Sequence, residues 1–437
     1  MKKIYDFVVV GAGPAGLMIA KELSAARQSV LLVDIKKELS KVHRSCCTML
    51  INEPNTHGET VRFVDNDLYF EKTGITVKYG HPYVKLVKSS RLSTGGNKLT
   101  MVNRENGVAL PYTKEIILRN LLEESLANGV DVLTETAGIR AENIDGRVKV
   151  TLRDNHTRTL KEVWCRACFA ADGCNSQIVT GLELFRTRKY FGSYRVASYF
   201  LDEVEYPNWD SWITCLGKGH TPWGKGQIYM VPKYLPDAKK GDKPILDVFC
   251  GTPCGLPAKM GLDWFLTEGP FREWFHNAKI VHKAACVLNF YTCIMNPVEG
   301  NIVVVGDAAA FIETYCQSAL MYGYLASQAA LKVLSTGKGY DEYTSFWRES
   351  FEYCHPGEIE KALQAFGLGR LEDEQLNYIF SLTNDEEYAG YVSENTAGYV
   401  MQKAIMGHID QIRKERPEIA AVIEQHWKSS AEDNVHQ

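Results

Sequence analysis

Three glycines and one aspartate, Gly11, Gly13, Gly16 and Asp34, have the types and spacing to do chemistry. They sit in VVVGAGPAGLMIAKELSAARQSVLLVD, where an apolar run, a glycine turn, a helix-like stretch and a second apolar run follow one another. That order predicts a βαβ unit cradling the pyrophosphate of a dinucleotide. Gly11 permits the tight turn, Gly13 lets the backbone approach the phosphates, and Gly16 lets helix and strand pack closely. Pro14 and Ala15 open the helix, whose N-terminal amides face the anion. Asp34 lies 18 residues after Gly16, at the end of the second apolar run, where a carboxylate can accept hydrogen bonds from a ribose diol.

Other elements must hold this unit in place. KEIILRNLLEESLANG puts Ile117, Leu121, Leu122 and Leu126 at helical spacing, stops at Gly129, and leads into the strand VDVLTE. IRAENIDGRVKVTLRD reads as a hairpin turning at Asp145-Gly146. Residues 36–110 mix short strand-like runs with Gly, Asn and Pro and show no clean helix. Between about 186 and 297 the chain is strand-rich and aromatic, with Trp209, Trp212, Trp223, Tyr229, Trp264 and Trp274 among glycine and proline turns, which predicts an antiparallel sheet. NIVVVGDAAAF gives a further buried strand, a helix is expected from about 319 to 334, and the rest is mostly helical.

The 437 residues suggest two or three structural units, and a net charge of -4 with 23% charged residues gives no bulk pull toward nucleic acid. No window approaches the length and apolarity of a membrane-spanning helix, and the apolar run after Met1-Lys2-Lys3 enters a glycine turn without a cleavage site. A soluble, cytoplasmic protein with no transmembrane segment is expected. The 12 cysteines are scattered, which favours reduced thiols over a disulfide framework. Cys165-Arg-Ala-Cys168 has redox or zinc spacing, but it lies in WCRACFAAD, a strand-like run in which residues three apart point to opposite faces. Plain core cysteines are expected there, and no metal. Cys250 and Cys254 form a second loose pair, which leaves a shared four-thiolate site as the alternative.

Two later segments extend the glycine motif. In FAADGCNSQIV, Asp172, Gly173 and Ser176 form Asp-Gly-x-x-Ser, and in NIVVVGDAAAFIE there is the pair Gly306-Asp307. In order and spacing the three motifs resemble those of the FAD-dependent hydroxylase superfamily, typified by p-hydroxybenzoate hydroxylase and geranylgeranyl reductase. The likeness covers roughly residues 4–335. It implies FAD as cofactor, with Asp307 contacting the ribityl chain, and an α/β fold: a Rossmann-like FAD-binding domain with a central parallel sheet, an interleaved antiparallel-sheet substrate domain and a helical C-terminal region. The expected divisions are 1–185 with 298–335 for FAD, with 36–110 partly on the substrate side, then 186–297 for substrate and 336–437 for the helices.

Within the superfamily the chain looks closer to the geranylgeranyl reductase branch. GQIYMVP, with Gly226, Tyr229 and Pro232, resembles that branch's strand beside the substrate cavity, and Cys46 or Cys47 falls near a cysteine such reductases carry close to the flavin. The alternative for the two cysteines is small buried core. Lys114 stands where the family usually has a cofactor-contacting arginine, and Arg44 joins it among the expected cofactor contacts. The family's proline and glycine-rich turn after Gly306-Asp307 is replaced by Thr314-Tyr315-Cys316-Gln317-Ser318-Ala319. An altered flavin contact is therefore expected, with Gln317 or Ser318 supplying side-chain hydrogen bonds and Ala319 beside them. Val179 occupies the slot of an arginine linked to NADPH use in hydroxylases.

These features imply an FAD-dependent oxidoreductase, a reductase or dehydrogenase passing hydride between flavin N5 and a carbon of an apolar, aromatic or prenyl-type small molecule. His43, Cys46, Cys47, Tyr229 and Cys316 are the candidates for handling the accompanying proton. No second glycine triplet of this type follows, so electrons would come from NAD(P)H docking transiently, from a protein donor such as a ferredoxin, or from the substrate. The alternatives are a monooxygenase using NAD(P)H and oxygen, and a flavin-binding protein without catalysis.

Overall fold

A computed structural model describes residues 4–253, 255–365 and 371–432. The run FVVV in β1 (Ile4–Val10) is buried throughout, as in a strand covered on both faces, and it pairs in parallel with β2 (Val30–Val33). Between them α1 (Pro14–Ala25) starts at a proline and buries Leu17, Met18, Ile19 and Leu23. On its other edge β1 pairs in parallel with the strand Leu160–Ala170, Val8 opposite Cys168. That strand is long enough to serve two neighbours. Its first half pairs with the hairpin strand Arg147–Asp154, and its end pairs in parallel with Ile302–Val304. These strands, with Thr136–Ile144, Asp131–Leu133 and Val298–Glu299, form an eight-stranded sheet over which α2 (Lys114–Ala127) packs Ile116, Ile117 and Leu121.

A second eight-stranded sheet runs in the order Lys279–Tyr291, Tyr190–Asp202, Ile245–Pro253, Gln227–Lys233, Ser211–Cys215, Lys88–Leu92, Lys98–Val102 and Glu387–Ala389. The strand Lys88–Leu92 lies parallel to Ser211–Cys215, a parallel step in a mainly antiparallel sheet. Its two faces differ. Leu92, Ile213, Ile228, Met230 and Val248 pack on the helix Ala258–Thr267, through Leu262 and Phe265. The opposite face carries Trp212, Tyr229, Val231 and Phe249, which pack with Met49, Ile51, Cys47 and Tyr315 from the first half of the molecule.

The C-terminal region is mainly helical but contributes a strand, Glu387–Ala389, which extends the second sheet in parallel beside Lys98–Val102. Three residues carry too little alternation to announce a strand. The helices divide between the two halves. Trp347 and Tyr343 sit in the core of the first sheet, donating to the carbonyls of Ile294 (2.8 Å) and Val304 (3.1 Å). Leu376, Phe380, Ile405, Ile412 and Ile419 instead close over Leu99 at the end of the second sheet. None of the described helices is long and apolar enough to cross a membrane. Cys165 and Cys168 lie in the first core and Cys250 in the second, so the structure overturns the shared thiolate site on geometry, Cys254 being outside the described residues. Among the described residues no cluster of three His, Cys, Asp or Glu side chains could hold a metal.

Candidate active site

The glycine turn separates into folding and binding positions. Gly11 has φ +104°, and a Cβ there would lie 2.3 Å from the Ala171 carbonyl oxygen. A Cβ on Gly16 would fall 1.8 Å from the Gly11 oxygen, so Gly16 closes the turn on itself, more than it packs helix on strand. Gly13 has nothing within 4 Å of its Cβ position, which leaves open space at the N-terminus of α1 where a pyrophosphate would meet free amides. Asp34 is oriented by two backbone donors, Ala12 N to Oδ2 at 2.5 Å and Lys36 N to Oδ1 at 2.7 Å. The Lys36 ammonium reaches back to the Ala12 carbonyl at 3.1 Å, and burial pushes its pKa down against the pull of Asp34.

The second and third motifs converge on the same opening. Asp172 Oδ2 accepts from Gln177 N at 3.1 Å, while Oδ1 is buried without a partner, and burial raises the carboxyl to about 6. Ser176 caps the short helix Gln177–Thr180 by accepting from Val179 N at 3.0 Å. Gly173 lies against Arg44, whose Nη2 donates to Cys174 Sγ at 3.0 Å. Burial works against the Arg44 charge, yet Cys174 and Asp307 outweigh it and hold the guanidinium above its ordinary range. Asp307 Oδ1 accepts from both the amide and the hydroxyl of Thr314 at 2.9 Å, leaving Oδ2 for a ligand hydroxyl. Arg188, which belongs to no motif, donates to the carbonyls of Thr292 (2.6 Å), Ala308 (3.0 Å) and Ala310 (2.7 Å), and so pins the segment that follows Asp307. An orphaned carboxylate oxygen, an open helix N-terminus and a twice-anchored Asp34 fit an FAD molecule laid across the three motifs.

The altered turn is resolved by backbone geometry. Tyr315 adopts φ +51°, the left-handed conformation that glycine usually supplies, and the helix Tyr315–Thr336 starts there, with Thr314 and Ala319 close to Gly306. Gln317 does not do what its position suggested. Its side-chain amide accepts from Ile51 N (3.0 Å) and donates to Ile51 O (2.5 Å), so both ends are used inside the fold. Ser318 Oγ is buried and unpartnered, and Ala319 packs against Gly306.

Beside Asp307 a group of ionisable side chains gathers. Lys114 Nζ lies 3.9 Å from Cys46 Sγ. The Cys47 thiol, hydrogen-bonded to Cys46, pulls the Cys46 pKa well below the usual thiol value, with Lys114 assisting against burial, while Cys47 itself is pushed up. Of the two thiols, Cys46 is thus the more readily ionised. Burial opposes the Lys114 ammonium, but Cys46, Cys316 and Asp307 raise it above its usual range. Burial lifts Cys316 to about 11, against Lys114 and the Tyr112 hydroxyl. Lys233, also unanticipated, influences both cysteines and forms a buried ion pair with Asp247 at 2.5 Å, beneath the Phe200 ring at 3.8 Å. His43 is exposed, with its carbonyl accepting from Ala285 N, because the loop turns its side chain outward; this corrects its place among the proton-handling candidates. Tyr229 lies further off on the sheet, stacked on Phe249 (4.7 Å) and edge-on to Trp212 (5.9 Å), with its hydroxyl donating to Gln227. It forms an aromatic wall opposite the cysteines.

Residues 5–232 match the family described as the FAD binding domain. Over 398 residues the chain is 22% identical to a digeranylgeranylglycerophospholipid reductase of Methanospirillum hungatei, covering 89% of this chain and 88% of that one. A protein of the same name from Methanosarcina acetivorans is 24% identical over 371 residues, covering 80% and 82%. Among solved structures, a geranylgeranyl bacteriochlorophyll reductase-like protein from Thermoplasma acidophilum superposes with a TM-score of 0.68 at 17% identity, covering 98% of this chain and all of the other. The p-nitrophenol 4-monooxygenase of Pseudomonas putida superposes at 0.63 with 14% identity, covering 93% and 98%. At such identities the two superpositions speak for the fold.

Proposed function

Because the chain belongs to the FAD binding domain family, and is an FAD-dependent oxidoreductase, we propose that it is a reductase or dehydrogenase moving hydride between flavin N5 and a carbon of an apolar, prenyl-type substrate. The observation that carries this reading is the group Cys46, Lys114 and Cys316, set between Asp307 and the wall of Trp212, Tyr229 and Phe249. When bound, FAD supplies the hydride-carrying ring. The chain contributes the rest. The wall excludes water and lays an apolar chain flat. Cys316, its pKa pushed up to about 11, can donate a proton to a substrate carbon, and Cys46, the more acidic of the adjoining thiols, can accept one as its thiolate in the opposite direction. The amides at the start of Tyr315–Thr336 favour negative charge at the helix end. The curated relatives, reductases of a geranylgeranyl-bearing glycerophospholipid by name, support a substrate of that class. Electrons would come from NAD(P)H or from a protein donor.

The test is to reduce the FAD-loaded protein without oxygen and mix it with a geranylgeranyl-bearing glycerophospholipid. Reoxidation of the flavin, with product that has gained two hydrogens per double bond, is the expected result. A product carrying a new oxygen atom after exposure to air would establish the monooxygenase reading instead.

A further inference from the structure

Arg91 is a cation that the fold has left without an anion. It lies on the strand Lys88–Leu92, and its Nη1 donates to Ser89 Oγ at 3.1 Å and to Thr214 Oγ1 at 3.3 Å. Thr214 Oγ1 also accepts from the indole of Trp212 at 2.7 Å. Among the described residues no carboxylate pairs with Arg91, and none accepts a hydrogen bond from its Nε or Nη2. Burial depresses the guanidinium to about 10, with only Tyr229 acting the other way. Among the described residues, the cations beside the site are answered: Lys233 by Asp247, Arg44 and Lys114 by Asp307 and the thiols, Arg188 by three carbonyls; away from it, on the first sheet, Arg153 also buries its Nε without a partner. An inward-facing guanidinium without a counter-charge is costly, so its retention points to an anion that arrives from outside.

The sheet register says what that anion is attached to. Arg91 stands opposite Thr214, Thr214 opposite Tyr229, and Tyr229 opposite Phe249, one row across four strands on the face turned away from the Leu262 and Phe265 core. At about 4.8 Å per strand and 3.3 Å per residue, Arg91 stands roughly 15 Å from Asp247, the partner of Lys233 beside the cysteines. An oxyanion at one end of the row, an aromatic wall along it and the ionisable group beyond the other end describe an amphiphile lying lengthwise.

We propose that Arg91 is the head-group subsite, which takes a phosphate or carboxylate oxyanion joined to the apolar chain that runs over Tyr229 and Phe249. This rests on the prenyl-type substrate reading above. Full-length FAD-loaded protein would be titrated with geranylgeranyl monophosphate, geranylgeraniol and inorganic phosphate, following the flavin spectrum and tryptophan fluorescence. The phosphate ester should bind about tenfold or more tightly than the alcohol, the margin of a charge-assisted hydrogen bond. That preference should vanish in Arg91→Gln, survive in part in Arg91→Lys, and shrink with rising salt in the unaltered protein, a measurement that needs no variant to fold. Equal binding of ester and alcohol would overturn the subsite and leave the prenyl reading standing. Inorganic phosphate displacing the ester at matching concentration would overturn it in favour of a free-anion site. Binding of neither amphiphile would bring down the reading beneath it as well.

Discussion

Gly11, Gly13, Gly16 and Asp34 belong to one βαβ unit, whereas Arg91, Thr214, Tyr229 and Phe249 come from four strands and meet only through sheet register. In the first region each residue's task follows from its own neighbours in the chain. In the second, a side chain acquires its task from whichever strand lies alongside. The nucleotide end is also fixed by backbone contacts, such as the Gly16 to Gly11 approach, while the substrate end is fixed by side chains, such as Lys233 with Asp247. A backbone contact tolerates no added atom, but a side-chain wall can be rebuilt residue by residue.

The sharpest break of this contrast is expected within the glycine turn itself. Gly16→Ala forces a methyl into the Gly11 carbonyl and should destabilise the protein by about 4 kcal/mol or more, read by thermal unfolding without FAD. Gly13→Ala meets open space, so unfolding of the FAD-free protein should be unchanged while FAD affinity falls by about tenfold or more. If both variants lost stability alike, the division into folding and binding glycines would be wrong. At the substrate end, Lys233→Met leaves Asp247 buried and uncompensated and should cost about 3–5 kcal/mol in denaturant unfolding. The double variant Lys233→Met with Asp247→Leu should recover most of that. A double variant no better than the single one would show that the pair does more than neutralise itself. The smallest effect concerns reactivity. The Lys114 ammonium favours the Cys46 thiolate, so Lys114→Met should move the midpoint of the iodoacetamide rate profile upward by about 1–3 pH units and slow alkylation at neutral pH. An unmoved profile would assign the lowered Cys46 pKa to the Cys47 hydrogen bond alone.

The same contrast governs what could be read from the amino-acid order. The strand, turn, helix and strand through Asp34, the helix Lys114–Ala127 and the Asp145-Gly146 hairpin are local patterns, and the structure contains them. The helix expected from about 319 begins at Tyr315, because a tyrosine with φ +51° takes over a turn for which no residue type gives notice. Gln317 was legible as a polar residue in the right segment, but Ile51 claims its amide, and that encounter joins parts of the chain far apart in sequence. His43 carried the right chemistry on a loop whose direction no periodicity reveals. Lys233 follows the Pro232 of a strand singled out for other reasons, and its meaning appears only once Asp247 lies beside it. Arg91 gave no signal at all, since what marks it is the lack of a partner.

One backbone contact has a consequence for how such a protein can change over generations. A Cβ on Gly323 would come within 2.6 Å of the Ala15 carbonyl oxygen, so α1 and the helix Tyr315–Thr336 touch main chain to main chain. Their two N-termini, one for a pyrophosphate and one beside Asp307, are thereby held at a fixed span, like the jaws of a calliper. Mutation can retexture the aromatic wall, move the charge at Arg91 or thin the C-terminal helices without altering that span. New substrates can thus be explored by drift on one side of the molecule, while the other side keeps the cofactor in gauge.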